Sequence, residues 1–186
     1  MNSRHIHGRL QTFVESAKTH GAMTTVIVHP CDRNSLEAAI EAARQGLKRP
    51  ILVGPKPRIT AIARQCGVDI SPYECINEPH SDAAAAKAVE LAREGHAAAL
   101  MKGSLHTDKL MAEVVSRKTG LCTARRGSHC FVSSAYGAGF VRGARVPIVL
   151  AGGADSSVIR LASCAVAVLV ASAPLHNPAQ TPAGQS

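Results

Sequence analysis

The stretch TTVIVHPCDRNSLEAAIEAARQGLKRPILVGP, Thr24 to Pro55, contains a strand, a helix and a second strand in direct succession. Its first six residues are mostly β-branched, which favours a strand. The segment SLEAAIEAARQGL can be capped by Asn34 or Ser35 and repeats apolar residues at helical spacing. Those apolar residues are Leu36, Ile40, Ala43 and Leu47. The apolar run at 51–53 is closed by glycine and proline. This order predicts parallel strands joined by a helical crossover.

The same alternation continues along the chain. Spacing and turn residues predict helices at 9–18, 58–65, 80–94, 110–117 and 156–171, and strands at 73–76, 128–133 and 146–151. Ser81 or Asp82 can cap the helix at 80–94. We therefore expect a single α/β lobe at 24–172, a three-layer α/β/α arrangement with a mainly parallel sheet. Residues 1–23 are expected to form a helical extension and residues 173–186 a disordered tail.

A second informative stretch is AAALMKGSLHTDKLM, Ala97 to Met111, in which an apolar run enters a polar loop and then a helix. The loop offers a charge, close backbone approach, hydroxyl groups and a helix N-terminus, all of which suit an anion. The residues expected to bind it are Lys102, Gly103, Ser104, His106 and Thr107. A plain helix N-cap is the alternative. Parallel strands would bring this loop and the loop at 30–34 to the same edge of the sheet.

Composition limits the classes of partner. The 186 residues are 46% hydrophobic, which suits one domain with a sizeable core. A net charge of +8 favours anionic partners, and we expect phosphate-bearing small molecules rather than nucleic acid. Only 3% of the residues are aromatic, too few for base-stacking platforms. A generic basic surface remains an alternative, and salt-dependent nucleic-acid binding is a weaker one.

The cysteines and the N-terminus indicate a reducing setting. The six cysteines show no CxxC pair and are expected to be reduced thiols. His29 and Cys31 flank the end of the first strand, but two further zinc ligands cannot be placed, so packing is the preferred interpretation. The N-terminal residues lack the apolar core of a signal peptide, and no stretch has the length to cross a bilayer. We expect a cytoplasmic protein without a membrane partner.

Three runs, two of which overlap the stretches described above, carry a family resemblance. These are VHPCDRNSLEAAIEAARQGLKRPILVGP from Val28, PHSDAAAAKAVELAREGHAAALMKGSLHTDKLM from Pro79 and TGLCTARRGSHCFV from Thr119. Together with GARVPIVL and RLASCAVAVL they resemble the phosphate acetyl/butyryltransferase family over most of 28–171. The resemblance is to the branch related to bifunctional enoyl-CoA hydratase/phosphate acetyltransferase proteins. It implies an acyltransferase that uses acyl-CoA and phosphate as substrates and holds no permanent cofactor.

The resemblance also implies that a lobe is missing. In the family a second α/β domain separates the strand resembling SHCFV from the segment resembling GARVPIVL, whereas here only SSAYGAG, at 133–139, lies between them. A stretch of about 100 to 150 residues, roughly one domain, is therefore expected to be deleted. Surface that such a lobe would cover could drive either pairing of the chain into a homodimer or aggregation.

The catalytic residues implied by the resemblance are incomplete. Family chemistry is direct attack of phosphate on the acyl-CoA thioester in a ternary complex, with a Ser-Arg pair after the last strand. Gly152 and Gly153 stand at those two positions. Asp155 is the candidate acceptor of the CoA thiol proton, although capping of the next helix would also explain it. Arg125 and Arg126 resemble a segment near the family's cleft and could bind phosphate or CoA, with a solvated surface pair as the alternative.

Two functions of different class follow. The first is a phosphate acyltransferase that converts acyl-CoA and phosphate into acyl phosphate and CoA. The second is a catalytically impaired remnant that only binds CoA or phosphate, because one lobe is missing and neither Gly152 nor Gly153 supplies a catalytic side chain.

Overall fold

A computed structural model describes residues 11–12, 14–123, 128–131, 139–142, 144–150 and 157–172. Within these residues the strands form one seven-stranded sheet in the order β3-β2-β1-β4-β7-β6-β5. The strands are β1 Met23–Val28, β2 Lys48–Gly54, β3 Glu74–Asn77, β4 Ala99–Lys102, β5 Ser128–Phe131, β6 Gly139–Arg142 and β7 Ile148–Val149. The helices are α1 Arg33–Arg44, α2 Lys56–Cys66, α3 Ser81–Arg93, α4 Thr107–Val114 and α5 Ser157–Ser172. Residues 11–12 and 14–18 are also helical.

Five neighbouring strands, β3, β2, β1, β4 and β7, pair in parallel. The α/β/α class with a mainly parallel sheet is therefore confirmed. β5 and β6 are antiparallel and extend the sheet beyond β7. β6 is absent from the sequence prediction, which treated residues up to Gly139 as a connector. Its four residues GFVR carry too little periodic signal to mark a strand.

Each face of the sheet packs against its own hydrophobic core. Alternate residues of β1 point to opposite faces, so Ile27 belongs to one core while Val26 and Val28 belong to the other. α1, α2 and α5 cover the Ile27 face, and α3 and α4 cover the Val26 face. Val14 joins the first core, so the N-terminal helical residues pack against the lobe. Both cores consist mainly of Ala, Val, Ile and Leu, as the scarcity of aromatic residues requires.

Three details differ from the sequence prediction. α1 is capped by Asp32, whose side chain accepts from Ser35 N, rather than by Asn34 or Ser35. α3 is capped by His80 rather than by Ser81 or Asp82, because the His80 ring accepts from the backbone N–H of the third helical residue. α4 begins at Thr107, three residues before its predicted start. Its first turn is polar, so apolar spacing alone does not reveal where it begins.

One lysine is buried in the Ile27-side core. Lys48, the first residue of β2, is 2% exposed, and its Nζ lies 3.4 Å from the thioether sulfur of Met101. The predicted strand at 51–53 is therefore too short by three residues at its start, because Lys48 and Arg49 conceal it in the hydrophobic pattern. In the described part of the chain, no helix has the length and apolarity needed to cross a membrane.

Candidate anion site at the carboxyl edge of the sheet

Three parallel strands end at the same level. Val28 of β1 is paired with Val53 of β2 on one side and with Lys102 of β4 on the other. The loops that follow β1 and β4 therefore meet at one edge, as the sequence predicted. Carboxyl edges of parallel sheets are the usual position of ligand sites in α/β proteins.

His29, the residue after β1, is held in an unusual backbone conformation. Its φ is +56°, in the left-handed region, and it is the only non-glycine residue of the described chain with a positive φ. Its N–H donates to Val53 O at 2.7 Å, and its carbonyl accepts from Cys31 N at 2.8 Å and from Ser104 N at 2.9 Å. Such a conformation costs free energy and persists only where surrounding contacts impose it, which is common in functional sites.

Gly103 allows the loop after β4 to approach β1 closely. A Cβ at this position would lie 2.5 Å from Val28 O and 2.6 Å from His29 O. Its N–H donates to Val28 O at 2.9 Å. The close approach expected of this glycine is therefore made to the backbone of β1, and it draws the two loops together.

The Ser104 hydroxyl connects the two loops. Its Oγ lies 2.8 Å from His29 O, 3.0 Å from His29 Nδ1 and 3.3 Å from Cys31 N. A single serine thus fixes the backbone and the imidazole of His29 together. The sequence interpretation placed Ser104 in the site but treated His29 as a packing residue. The informative signal was its position, directly after a buried strand and opposite the glycine-containing loop.

Positively charged side chains lie around His29 and Ser104. Arg58 of α2 is exposed and lies near enough to His29 and Cys31 to affect their ionisation. Lys109 of α4 acts on His29 in the same direction and also forms an ion pair with Asp82 at 2.9 Å. Lys102 is half-buried, and its Nζ donates to the carbonyl oxygens of Gly103 and Leu105 at 3.2 and 3.0 Å. Lys102 therefore stiffens the loop as well as making the edge positive.

The environment favours the uncharged forms of two groups. Burial lowers the pKa of His29 below 6.5, and the positive charge of Arg58 lowers it further. Burial raises the pKa of the Cys31 thiol to about 11, although Arg58 opposes this shift. Cys31 is 3% exposed and acts as a packed thiol, in agreement with the sequence interpretation. No cluster of three metal-binding side chains is found among the described residues.

The other predicted site residues are distributed unevenly. His106 is exposed and occupies the N-cap position of α4 without a side-chain capping bond, and Thr107 is the first residue of that helix. Both belong to the same loop as Ser104. Arg125, Arg126 and Asp155 lie outside the described residues, as does the glycine pair at 152–153.

A cavity of about 720 Å³ lies elsewhere, between α1, α2 and α5. Asn34, Glu37, Arg44 and Arg160 are among its polar lining residues. No residue from 29–32 or 102–107 lines it. The chemistry at the carboxyl edge, rather than the size of this cavity, therefore defines the candidate site.

Comparison with known proteins identifies related enzymes. No family model matches the chain. A phosphate acetyltransferase of Rhizobium meliloti is 50% identical over 124 residues, which are 67% of this chain and 39% of that protein. A phosphate butyryltransferase of Clostridium acetobutylicum is 39% identical over 101 residues, 54% of this chain and 34% of that protein. The chain thus spans about two fifths or less of the length of the curated relatives that it matches.

The fold is shared with solved structures at low sequence identity. A phosphotransacetylase from Streptococcus pyogenes superposes with a TM-score of 0.53 at 18% identity, covering 69% of this chain and 46% of that one. The EutD phosphotransacetylase from Staphylococcus aureus superposes with a TM-score of 0.50 at 15% identity, covering 71% of this chain and 49% of that one. These structures show a shared fold. The 50% identity over 124 residues shows that the matched part of this chain is homologous to the phosphate acetyl/butyryltransferases.

Proposed function

We propose that the chain is a phosphate acyltransferase, in which phosphate attacks the thioester carbonyl of a bound acyl-CoA directly. The products are acyl phosphate and CoA, and CoA enters and leaves as a substrate. The observation that carries this proposal is the 50% identity to a phosphate acetyltransferase over 124 residues. The positive carboxyl edge is consistent with it, because both substrates carry phosphate groups.

In this proposal the edge binds the anionic substrates. Ser104, His106 and Thr107 offer polar side chains beside the N-terminus of α4, where the helix dipole favours negative charge. Gly103 holds the loop close to β1, and Lys102 stiffens it while contributing its charge. Exposed Arg58 supplies a further positive charge from the neighbouring helix.

The remaining roles rest on the sequence resemblance. Arg125 and Arg126 would bind phosphate or the phosphates of CoA. Asp155 would accept the thiol proton in the direction that consumes CoA. Two copies of the chain would pair into a homodimer, and neither nucleic acid nor a membrane would be a partner.

A catalytically impaired remnant that binds CoA or phosphate is the second candidate. Two observations favour it. The chain spans 39% of the length of its phosphate acetyltransferase relative. Gly152 and Gly153 stand where the resemblance implies Ser and Arg. Loss of one transition-state hydrogen-bond donor typically lowers the rate about 100- to 1000-fold, so the pair would reduce turnover severely.

An assay for the release of free CoA thiol from acetyl-CoA and butyryl-CoA distinguishes the active transferase from the impaired remnant. The full chain is assayed with and without phosphate, and phosphate-dependent release supports the transferase. No release, together with calorimetric binding of CoA or phosphate, supports the remnant. Gly152→Ser combined with Gly153→Arg should raise turnover if the cleft is otherwise competent, whereas an unchanged rate would implicate the missing lobe.

A matched pair of variants tests the binding edge. Arg58→Ala removes a cation that lowers the His29 pKa, whereas Arg64→Ala removes an exposed cation from the other end of the same helix that is not among the groups shifting that pKa. We expect Arg58→Ala to weaken phosphate binding several-fold at low salt and Arg64→Ala to leave it nearly unchanged. Equal effects of the two variants would indicate only a diffuse positive surface.

A further inference from the structure

The inference concerns the side of the imidazole of His29 that faces away from Ser104. One ring nitrogen, Nδ1, contacts the Ser104 hydroxyl, while Nε2 has no hydrogen-bond partner among the described residues. The ring is half-buried at the edge where three strands end. The contacts around Ser104 favour one of the two possible positions of the ring proton.

Ser104 has one hydroxyl proton and three polar neighbours. The carbonyl oxygen of His29, at 2.8 Å, can only accept, so this contact is a hydrogen bond only if the hydroxyl donates to it. Cys31 N–H, at 3.3 Å, donates to Ser104 Oγ. The remaining lone pair of Oγ can then only accept from Nδ1, at 3.0 Å. In this arrangement Oγ donates its one proton and uses both lone pairs, and Nε2 keeps a free lone pair. His29 O then accepts from the hydroxyl as well as from Cys31 N and Ser104 N, and Cys31 N–H is shared between His29 O and Oγ.

The opposite arrangement is less favourable. If the Ser104 hydroxyl donated to Nδ1, the 2.8 Å contact between Oγ and His29 O would join two oxygen atoms with no hydrogen between them. The backbone cannot relieve that contact easily, because His29 is fixed by Val53 O and Gly103 is packed against it. The backbone therefore selects the tautomer.

We propose that His29 carries its proton on Nδ1, held by Ser104, and uses the Nε2 lone pair to accept an acidic hydrogen of the substrate. The substrate groups with such a hydrogen are the P–OH of phosphate and the S–H of CoA. The assignment rests on the proposed function, which supplies these two ligands. It makes His29 a catalytic residue and gives to its Nε2 the proton transfer that the sequence resemblance assigns to Asp155.

The step balances without a further reactant. A phosphate oxygen bonds to the thioester carbon and the carbon–sulfur bond breaks. The P–OH proton moves to Nε2 and then to the departing thiolate, so the imidazole returns to its starting state. In the reverse direction Nε2 takes the S–H proton first. The ring is kept neutral because burial and the positive charges of Arg58 and Lys109 lower its pKa. A hydrogen bond between the ring and the His29 backbone, and the negative charge of Asp32, act in the opposite direction.

NMR of the imidazole nitrogens, recorded on the full chain with ¹⁵N-labelled histidine, tests directly which nitrogen of His29 carries the proton. At pH 8 we expect a pyrrole-type Nδ1 and a pyridine-type Nε2 for His29. The signal is identified by its loss in His29→Asn, since asparagine tolerates a positive φ, and independently by sequential assignment of the unmodified chain. A pyridine-type Nδ1 would overturn the proposal.

Two pairs of ligands show whether Nε2 accepts an acidic hydrogen. In each pair one ligand carries such a hydrogen and the other does not. Phosphate at pH 7 carries a P–OH and should shift the Nε2 resonance, whereas sulfate carries no acidic hydrogen and should not. CoA should shift it more than S-methyl-CoA. The phosphate and CoA arms show which substrate group His29 contacts. Equal shifts within both pairs, or no shift with phosphate or CoA, would refute the proposal.

Kinetics separate this proposal from the proposed function. His29→Asn should lower kcat by about 100-fold or more with a smaller effect on KM, and should remove the acid limb of the pH profile. That limb should fall below pH 6.5, because the pKa of His29 is lowered. Turnover that His29→Asn leaves unchanged refutes the role of His29 while the transferase stands. If phosphate but not sulfate shifts the Nε2 resonance and no turnover is detected, the transferase function is refuted. The role of His29 Nε2 as a hydrogen-bond acceptor for phosphate then remains supported.

Discussion

Replacing Gly103 with alanine would force a methyl group into the backbone of the neighbouring strand. The added Cβ would lie 2.5 Å from Val28 O, 2.6 Å from His29 O and 2.8 Å from His29 C. All three are backbone atoms, so no side-chain rotation can relieve the contact. β1 and the loop after β4 would have to separate by roughly half an ångström or more before the contacts reached the 3.0 Å lower limit of real Cβ atoms.

That separation lengthens two backbone hydrogen bonds, Gly103 N to Val28 O and Ser104 N to His29 O, both 2.9 Å. Overpacking typically costs about 1 to 3 kcal/mol, and each weakened hydrogen bond costs about 1 kcal/mol. We expect Gly103→Ala to lower the free energy of unfolding by about 3 kcal/mol. For a domain of this size that corresponds to a Tm about 6 to 12 °C lower.

Urea unfolding of the full chain, followed by circular dichroism, measures the change, and Gly21→Ala serves as the control. Gly21 has φ +79° and nothing within 4 Å of an added Cβ, so its substitution costs only conformational strain. We expect about 1 kcal/mol for that variant. A Gly103→Ala protein no less stable than Gly21→Ala would refute the steric argument and the close packing of the two loops.

Three further outcomes are expected. Asp32→Ala removes the cap of α1, which accepts a backbone N–H at 2.8 Å, and should lower the free energy of unfolding by about 1 kcal/mol in the same urea assay. Cys31, buried and with its pKa raised to about 11, should react with iodoacetamide at pH 8 far more slowly than exposed Cys122, as mass spectrometry of the folded chain would show; equal rates would contradict its burial. Lys48→Met should leave the free energy of unfolding unchanged or raise it, because the weak thioether acceptor of Met101, at 3.4 Å, is the only hydrogen-bond partner of the buried amine among the described residues; a loss above about 2 kcal/mol would mean that the amine has a stronger partner.

The sequence was sufficient for the parallel part of the sheet because its strands are apolar and the intervening helices have a clear period. α2 illustrates this, since its predicted end at residue 65 lies one residue before its observed end at Cys66, where Gly67 forms a left-handed C-cap. The first turn of α4 and the start of β2 escaped prediction because their residues are polar or charged. β6 escaped because a four-residue antiparallel strand has neither the length nor the alternation that a period requires.

The candidate site was only partly predictable for a different reason. Ser104 and Gly103 are suggestive as residue types, and parallel topology alone places their loop beside the end of β1. The role of His29 depends on a positive φ and on three contacts of one hydroxyl group, which are properties of the folded backbone. A sequence pattern reports which side chains are present, whereas tautomer and orientation are set by tertiary hydrogen bonds.

The carboxyl edge is already assembled from this lobe alone. The contacts that fix His29 come from β1, β2 and the loop after β4, and none of them requires residues from a second lobe. Ligand binding at this edge and catalytic turnover should therefore be separable properties of the chain. Under the proposed function, binding would depend on groups that β1, α2 and the β4–α4 loop place together, whereas turnover would also depend on what closes over the bound substrate and excludes water. A chain that binds phosphate through His29 and turns over slowly is the outcome that this arrangement favours.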